Sequence, residues 1–129
     1  MATAEILALS SAAGVTIGAH SENHVLLPTQ SLDTQLAEIQ TTKRRLDSLL
    51  ARPVTSFSYP YGGADLGTVE LVRRAGFSEA VTTEERPVHQ GDDPLLLPRI
   101  DVGGCDLEAF AEQVSRAWTR SGSRAAARS

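Results

Sequence analysis

Gly14-Val15-Thr16-Ile17-Gly18-Ala19-His20-Ser21-Glu22-Asn23-His24 is the stretch whose reading decides the fold. Val15 and Ile17 are β-branched, and Gly14 and Gly18 punctuate the run at both ends. The stretch therefore reads as a short apolar strand, residues 15–18, ending in a turn that delivers two histidines. His20 and His24 are four residues apart. On one helical turn that spacing puts both imidazoles on one face, where they can grip a single cation. Neutral imidazole suits zinc, cobalt, nickel or iron. The C-terminal end of a strand is also where α/β sheets and barrels gather their chemistry. The bland alternative is two histidines that pack and hydrogen-bond without a metal.

Outward from this stretch, the chain alternates helices and strands. Residues 3–13 read as a helix with Thr3 as N-cap and Gly14 as its stop. Residues 20–27 form the turn or loop carrying the histidines, closed by Pro28. Ser31 caps a long helix from Leu32 to about Leu50, with Leu32, Leu36, Ile39, Leu46 and Leu49 or Leu50 at helical spacing. Lys43, Arg44 and Arg45 are read as its solvated face. A second strand spans residues 54–58, and Asp65 or Thr68 opens a helix that runs to Ala75 and Gly76. A third strand spans residues 77–82 and a fourth residues 95–102, with a polar loop between them. Asp106 caps a last helix to Trp118, with Phe110, Val114 and Trp118 four residues apart. Residues 119–129 have no apolar face and read as a disordered basic tail. The alternation argues for parallel strands joined by helical crossovers.

Three motifs carry a resemblance. Gly18-Ala19-His20-Ser21-Glu22-Asn23-His24-Val25-Leu26-Leu27 resembles the second motif of the polysaccharide deacetylase family, the NodB-homology or carbohydrate esterase 4 fold. Phe57-Ser58-Tyr59-Pro60-Tyr61-Gly62 is similar to its third motif, and Leu97-Pro98-Arg99-Ile100 to a form found in its Tyr-Pro-Tyr-Gly branch. Together they cover residues 4–118. The resemblance implies an incomplete (β/α) barrel with about four parallel strands and flanking helices, residues 1–118 being a NodB-like domain truncated before its second motif. It implies removal of N- or O-acetyl groups from sugars, with an acetylated carbohydrate as substrate and a divalent metal, zinc before cobalt or nickel, as cofactor. It assigns His20 and His24 to the metal, and Tyr59, Pro60, Tyr61 and Gly62 to substrate. It assigns the Tyr61 backbone amide to the oxyanion, and Arg99 to orienting a carboxylate or binding substrate. The residues themselves leave alternatives open: Tyr59 and Tyr61 packing beside Pro60, and Arg99 paired with Asp101.

Some family features are missing. The first motif, a strand ending in Asp-Asp that supplies the base and a third metal ligand, has no counterpart before Gly14; Asp92-Asp93 is the lone Asp-Asp pair. Ser58 stands where many relatives have arginine, and no late Leu-x-His is found. His89 reads as a loop residue. Asp65, Asp92, Asp93 and Asp101 are candidate substitute carboxylates. The rival function is a non-catalytic sugar-binding or subunit-pairing remnant of the same fold.

Composition sets outer bounds. With 129 residues and 41% hydrophobic content the chain makes one domain with a real core. A net charge of −4 argues against a nucleic-acid surface. One cysteine, Cys105, excludes an internal disulfide and reads as a small packing residue. No basic region precedes the apolar residues 6–19, so neither signal peptide nor membrane span is expected and the chain as written is expected in the cytoplasm. Four strands do not close a barrel, and their open edges favour a homodimer or a partner that lends strands.

Overall fold

The structure, a computed structural model, describes residues 2–126, with side chains through residue 119. Four helices, α1 (Thr3–Ser10), α2 (Leu32–Leu50), α3 (Leu66–Arg74) and α4 (Leu107–Ala126), accompany two strands, β1 (Ser56–Ser58) and β2 (Glu79–Val81). β1 and β2 are parallel, with Phe57 opposite Ala80. On one side of this pair Ala19 forms a parallel bridge to Phe57, and on the other Leu97 forms a parallel bridge to Val81. Four segments thus lie side by side in chain order, all pointing the same way. The chain is α/β with a small parallel sheet.

Of the outer two expected strands, residues 15–18 form none, the bridge falling one residue later at Ala19, and residues 95–102 shrink to the single bridge at Leu97. Before Ala19 the ladder stops: the Val54 N–H, which the alternation set by the Ser58 N–H to Ala19 O bond would aim at this segment, is taken by Asp47 at 2.7 Å. The fourth segment gains the bonds Leu97 N–H to Ala80 O (2.9 Å) and Thr82 N–H to Leu97 O (2.8 Å). The ladder goes no further because the Arg99 N–H turns to Glu84 O at 2.9 Å, and the Thr82 carbonyl it would have met accepts from Arg99 Nε at 2.8 Å.

Capping follows the sequence closely. Ser31 Oγ accepts from Thr34 N–H at 3.2 Å, Asp65 from Thr68 N–H at 2.8 Å, and Asp106 from Ala109 N–H at 2.8 Å. In α1, Ala2 rather than Thr3 is the cap, and Glu5 reaches back to the Ala2 N–H at 2.6 Å. α4 continues past Trp118 to Ala126, so residues 119–126 are helical where a disordered tail was expected; residues 127–129 of that tail lie outside the described residues. Once Asp106 has nucleated the helix, adding residues at its end costs far less than starting it, so the helix extends through Ser121, Gly122 and Ser123 to Arg124, Ala125 and Ala126. Phe110, Val114 and Trp118 remain exposed.

α2 packs part of the expected apolar stripe, with Ile39 in the core and Leu46 and Leu50 against it, and buries a polar stripe beside it. Its buried residues are Gln35, Glu38, Ile39, Thr42 and Lys43, whereas Leu32 is 62% exposed. Lys43 is therefore not on a solvated face. It pairs with Asp47 at 2.5 Å, and its ammonium lies 5.5 Å from the Phe77 ring centroid. Arg45 does face solvent but pairs with Glu22 of the histidine loop. Polar partners make this stripe affordable to bury: Thr68 Oγ1 donates to Gln35 Oε1 at 2.7 Å, and Asp47 accepts the Val54 N–H at 2.7 Å.

Between helices and sheet the apolar core is built on Leu27, Ile39, Phe57, Tyr59, Val72 and Leu95, each less than 2% or about 2% exposed. Phe57 lies 5.3 Å from Tyr59 and 5.2 Å from Phe77, ring centroid to centroid.

Several carboxylates are tied into the fold in ionised form, which makes stability acid-sensitive. Hydrogen bonds from Arg86, then from the His89 N–H, hold Asp92 at about 2. Bonds from Thr68 lower Asp65. Burial pushes Asp47 up, but bonds from Lys43 and the Val54 N–H outweigh it and lower it overall. A carboxyl group depressed in the folded state stabilises above its unfolded pKa of about 3.9, and that stability drains away as pH falls through the folded value. Urea midpoints should therefore be level from pH 7 to about 5 and drop steeply between about 4 and 2. Asp92→Asn should flatten part of that slope; an unchanged acid slope would contradict the assignment.

Candidate functional site

His20 directly follows the Ala19 bridge, so the sheet sets where its side chain begins. The segment after it is a loop, not the helical turn that the spacing suggested. Ser21 and His24 have φ of +59° and +56°, the left-handed region, which no helix continues. Each such residue costs roughly 1–2 kcal/mol, so the loop needs outside support. That support comes from α2 and from within. The Glu38 carboxylate accepts the Glu22 N–H (3.0 Å), the Asn23 N–H (2.8 Å) and the Asn23 side-chain amide (2.6 Å). Ser21 Oγ accepts the His24 N–H at 3.0 Å. Burial works to raise the Glu38 pKa, but these bonds, led by the Asn23 side chain, win and lower it.

The left-handed bends bring the imidazoles together by another route. The His20 and His24 rings are 4.6 Å apart, edge to face at 74°. His20 Nδ1 lies 2.7 Å from the Ser58 carbonyl at the end of β1. A carbonyl can only accept, so Nδ1 carries the proton and Nε2 keeps a bare lone pair. This is the arrangement that orients a metal-binding histidine.

The Tyr-Pro-Tyr-Gly segment divides into core and surface. Tyr59 is fully buried, with its hydroxyl donating to Leu95 O at 2.8 Å, and burial pushes its phenol well above its ordinary range. Pro60 is buried as well. These two side chains therefore lie in the core, whereas the expectation had placed them against substrate. β-alternation after Phe57 sends residue 59 to the same inward face. Tyr61 is turned out by its left-handed φ of +57°, is 68% exposed, and packs edge-on against His24 at 4.8 Å. The corner is thus His20, His24 and Tyr61 in a row, with the Ser58 carbonyl behind.

Gly62 is the hinge of this corner. Its φ is +73°, and a Cβ there would sit 2.1 Å from Thr83 Oγ1 and 2.7 Å from the Thr83 N. Gly62→Ala should therefore move the turn, at a cost of about 1 kcal/mol for the backbone conformation alone and more for the clash. The check is thermal denaturation together with the His24–Tyr61 ring contact by NMR. A variant as stable as the parent, with that contact kept, would contradict the close approach.

Arg99 lies elsewhere. It lines a cleft of about 580 Å³ with Thr83, Glu85, Ile100, Asp101 and Val102. Thr83 borders both places, since its hydroxyl reaches Tyr61 O at 3.4 Å. Arg99 Nε donates to Thr82 O at 2.8 Å, and Asp101 instead accepts the Gly103 N–H at 2.8 Å. The other candidate carboxylates are engaged too. Asp65 caps α3, Asp92 takes a two-pronged bond from Arg86 at 2.8 and 3.0 Å, and Asp93 accepts the Leu95 N–H at 2.8 Å. His89 is tied into the same loop, its N–H on Asp92 at 2.7 Å. Cys105 donates to Val102 O at 2.9 Å and stands apart from the corner.

The His20 imidazole, with Nε2 left over, and the His24 ring beside it would suit two corners of a tetrahedral ion. A catalytic zinc needs three protein ligands plus an open position. Among the described residues no group of three or more His, Cys, Asp or Glu side chains comes together as a metal site. The donor set therefore fits a metal in part: it offers two arms and lacks a third.

Comparison with known proteins bears on this corner. A family model described as polysaccharide deacetylase matches residues 2–80, more than half of the chain and including both histidines and the Tyr-Pro-Tyr-Gly turn. The chain belongs to the polysaccharide deacetylase family. Among its relatives is the Bacillus subtilis (strain 168) protein named "Putative polysaccharide deacetylase YxkH", 26% identical over 78% of this chain and 37% of that protein. Two solved structures share the fold of this family member. One is the Streptococcus pyogenes deacetylase PplD in complex with acetate, with a TM-score of 0.80 and 24% identity over 88% of this chain and 50% of that one. The other is BC0361, a polysaccharide deacetylase from Bacillus cereus, with a TM-score of 0.78 and 21% identity over 88% of this chain and 36% of that one. The chain thus spans half or less of the length of these relatives.

Proposed function

We propose that this deacetylase-family chain supplies the imidazole pair and the acetyl-facing turn of a metal-dependent carbohydrate deacetylase, acting on N- or O-acetyl groups of sugars. The observation that carries the reading is the His20–His24–Tyr61 row, with His20 Nδ1 held by Ser58 O so that Nε2 is left for a ligand. His20 and His24 would hold the divalent ion, zinc before cobalt or nickel. When bound there, such an ion supplies a Lewis acid for an acetyl carbonyl and lowers the pKa of a water.

The chain's own residues do the rest. Ser58 O fixes the His20 tautomer. Exposed Tyr61 presents its ring as one wall for the acetylated sugar, and its backbone N–H serves as donor to the oxygen on which charge develops. Gly62 lets the turn come against Thr83. Arg99 borders the cleft next to this turn and meets substrate away from the reacting carbon.

A second reading has its own support. Because Asp65, Asp92, Asp93 and Asp101 are all engaged in the fold, no general base stands beside the imidazoles among the described residues. A non-catalytic sugar-binding or subunit-pairing role accommodates that fact, as does a carboxylate brought by another chain. On either reading the single-bridge edges at Ala19 and Leu97 invite added strands, in the sense of a homodimer or a strand-lending partner completing an arc of (β/α) barrel. No described helix is long and apolar enough to cross a membrane.

Acetate release from a chitin oligomer or acetylated xylan, with zinc added, tests the catalytic reading. Release above a His20→Ala control supports it. Sugar binding without release supports the second reading, and neither release nor binding would overturn both.

A further inference from the structure

We propose that Glu38 is the positioning residue of the imidazole pair, clamping the loop between His20 and His24 from the buried face of α2. The inference rests on the reading of that pair as a metal site. Glu38 is only 7% exposed on a helix of 19 residues, so its carboxylate is a fixed point. Its two oxygens take three donors from two consecutive residues: the Glu22 N–H, the Asn23 N–H and the Asn23 side-chain amide. Those residues sit between the two histidines. On either side of them, Ser21 and His24 are bent into the left-handed region. Such bends persist only where neighbouring bonds over-determine them. Without Glu38 the loop relaxes, and His24 leaves His20 and Tyr61.

A second tether exists, from Arg45 on the same helix to Glu22. It is at the surface, with Arg45 71% exposed, and restrains a side chain rather than the backbone. Glu38 touches neither imidazole in any bond found here, so its influence passes through loop geometry. The rival explanation is that Glu38 simply serves the stability of the fold. The two differ in what a side chain of the same length can restore. The amide oxygen of glutamine can still accept both backbone N–H groups, and Asn23 can turn its own amide to accept from the new NH₂. Methionine fills the space but accepts none of them.

The test compares Glu38→Met and Glu38→Gln with the parent chain in two measurements. The first is metal-free NMR of the ring contacts His20–His24 and His24–Tyr61, with the methyls of Ile39 and Val72 as markers of an intact core. The second is zinc titration by calorimetry. Glu38→Met is expected to keep the core signals, lose both ring contacts, and weaken zinc binding about 10- to 100-fold. Glu38→Gln is expected to regain the ring contacts and come within a few-fold of the parent. A folded Glu38→Met with both contacts and zinc affinity unchanged would overturn the proposal, as would Glu38→Gln failing as badly as Glu38→Met. Should Glu38→Met not fold, Asn23→Ala removes the side-chain bond alone. Weakened ring contacts then support the clamp, and unchanged contacts overturn it. The ring contacts are read without metal, so they judge the clamp even if His20→Ala leaves zinc binding untouched and the metal reading falls.

Discussion

Replacing His20 with alanine is expected to remove divalent-metal binding from this chain and any acetate release with it. The change deletes one of the two imidazoles proposed to share an ion, and a lone exposed imidazole holds zinc only weakly. Loss of a residue that merely orients a metal ligand costs 10- to 100-fold in affinity, so loss of the ligand itself should cost on the order of 100-fold or more. The fold should survive. His20 is exposed, and its one bond reaches the Ser58 carbonyl, while the core beneath it is formed by other residues. The expected pattern is unchanged thermal stability with lost metal in elemental analysis. His24→Ala should behave alike. If His20→Ala kept its zinc, the ion would sit elsewhere and the corner would be ordinary packing.

Phe57→Ala is expected to have the opposite profile, with a large loss of stability. Phe57 is the centre of β1, 2% exposed, and touches Tyr59 on one side and Phe77 on the other. Truncating a buried phenylalanine costs about 3–5 kcal/mol, from lost burial and the cavity left behind. Domains of this size hold only about 5–15 kcal/mol in total, so the melting temperature should fall on the order of 10–20 °C. β1 also carries the Ser58 carbonyl that fixes His20, so metal affinity should fall with the fold. A shift of less than 2 °C by scanning calorimetry would mean that the sheet is not organised around this ring.

The two variants separate what the sequence could tell from what it could not. Strand–helix alternation and the turn residues pointed to the α/β layering and to parallel strands, and to helix caps at Ser31, at Asp65 or Thr68, and at Asp106, because such caps act within one turn of themselves. The pairing of His20 with His24 was legible as well, though for the wrong local reason. The spacing suggested a helical turn, and the rings meet instead through two left-handed residues that no propensity favours.

What remained hidden depended on contacts distant in sequence. Tyr59 and Tyr61 look equivalent in the chain, but the bond from Tyr59 to Leu95 O spans 36 residues, and the alternation around Phe57 sends one ring inward and the other out. Glu38 resembles any surface glutamate of an amphipathic helix, and Lys43 any member of a basic cluster. Their burial reflects partners that periodicity cannot see, the histidine loop for Glu38 and the Phe77 ring for Lys43. The shortening of the outer strands was hidden too, because it follows from the Asp47 bond to the Val54 N–H and from the Arg99 bonds to Glu84 O and Thr82 O. Among the described residues no third His, Cys, Asp or Glu side chain joins His20 and His24 in a group that could hold a metal.

The most direct trial of the central claim, that the two imidazoles jointly hold one ion beside Tyr61, is a zinc titration followed by ¹⁵N NMR of the histidine rings on untagged protein. The account predicts that the Nε2 signals of His20 and His24 shift together and saturate at one equivalent, with the Tyr61 ring responding and His89 unmoved. Shifts confined to His89, or rings of His20 and His24 that titrate independently or not at all, would contradict it.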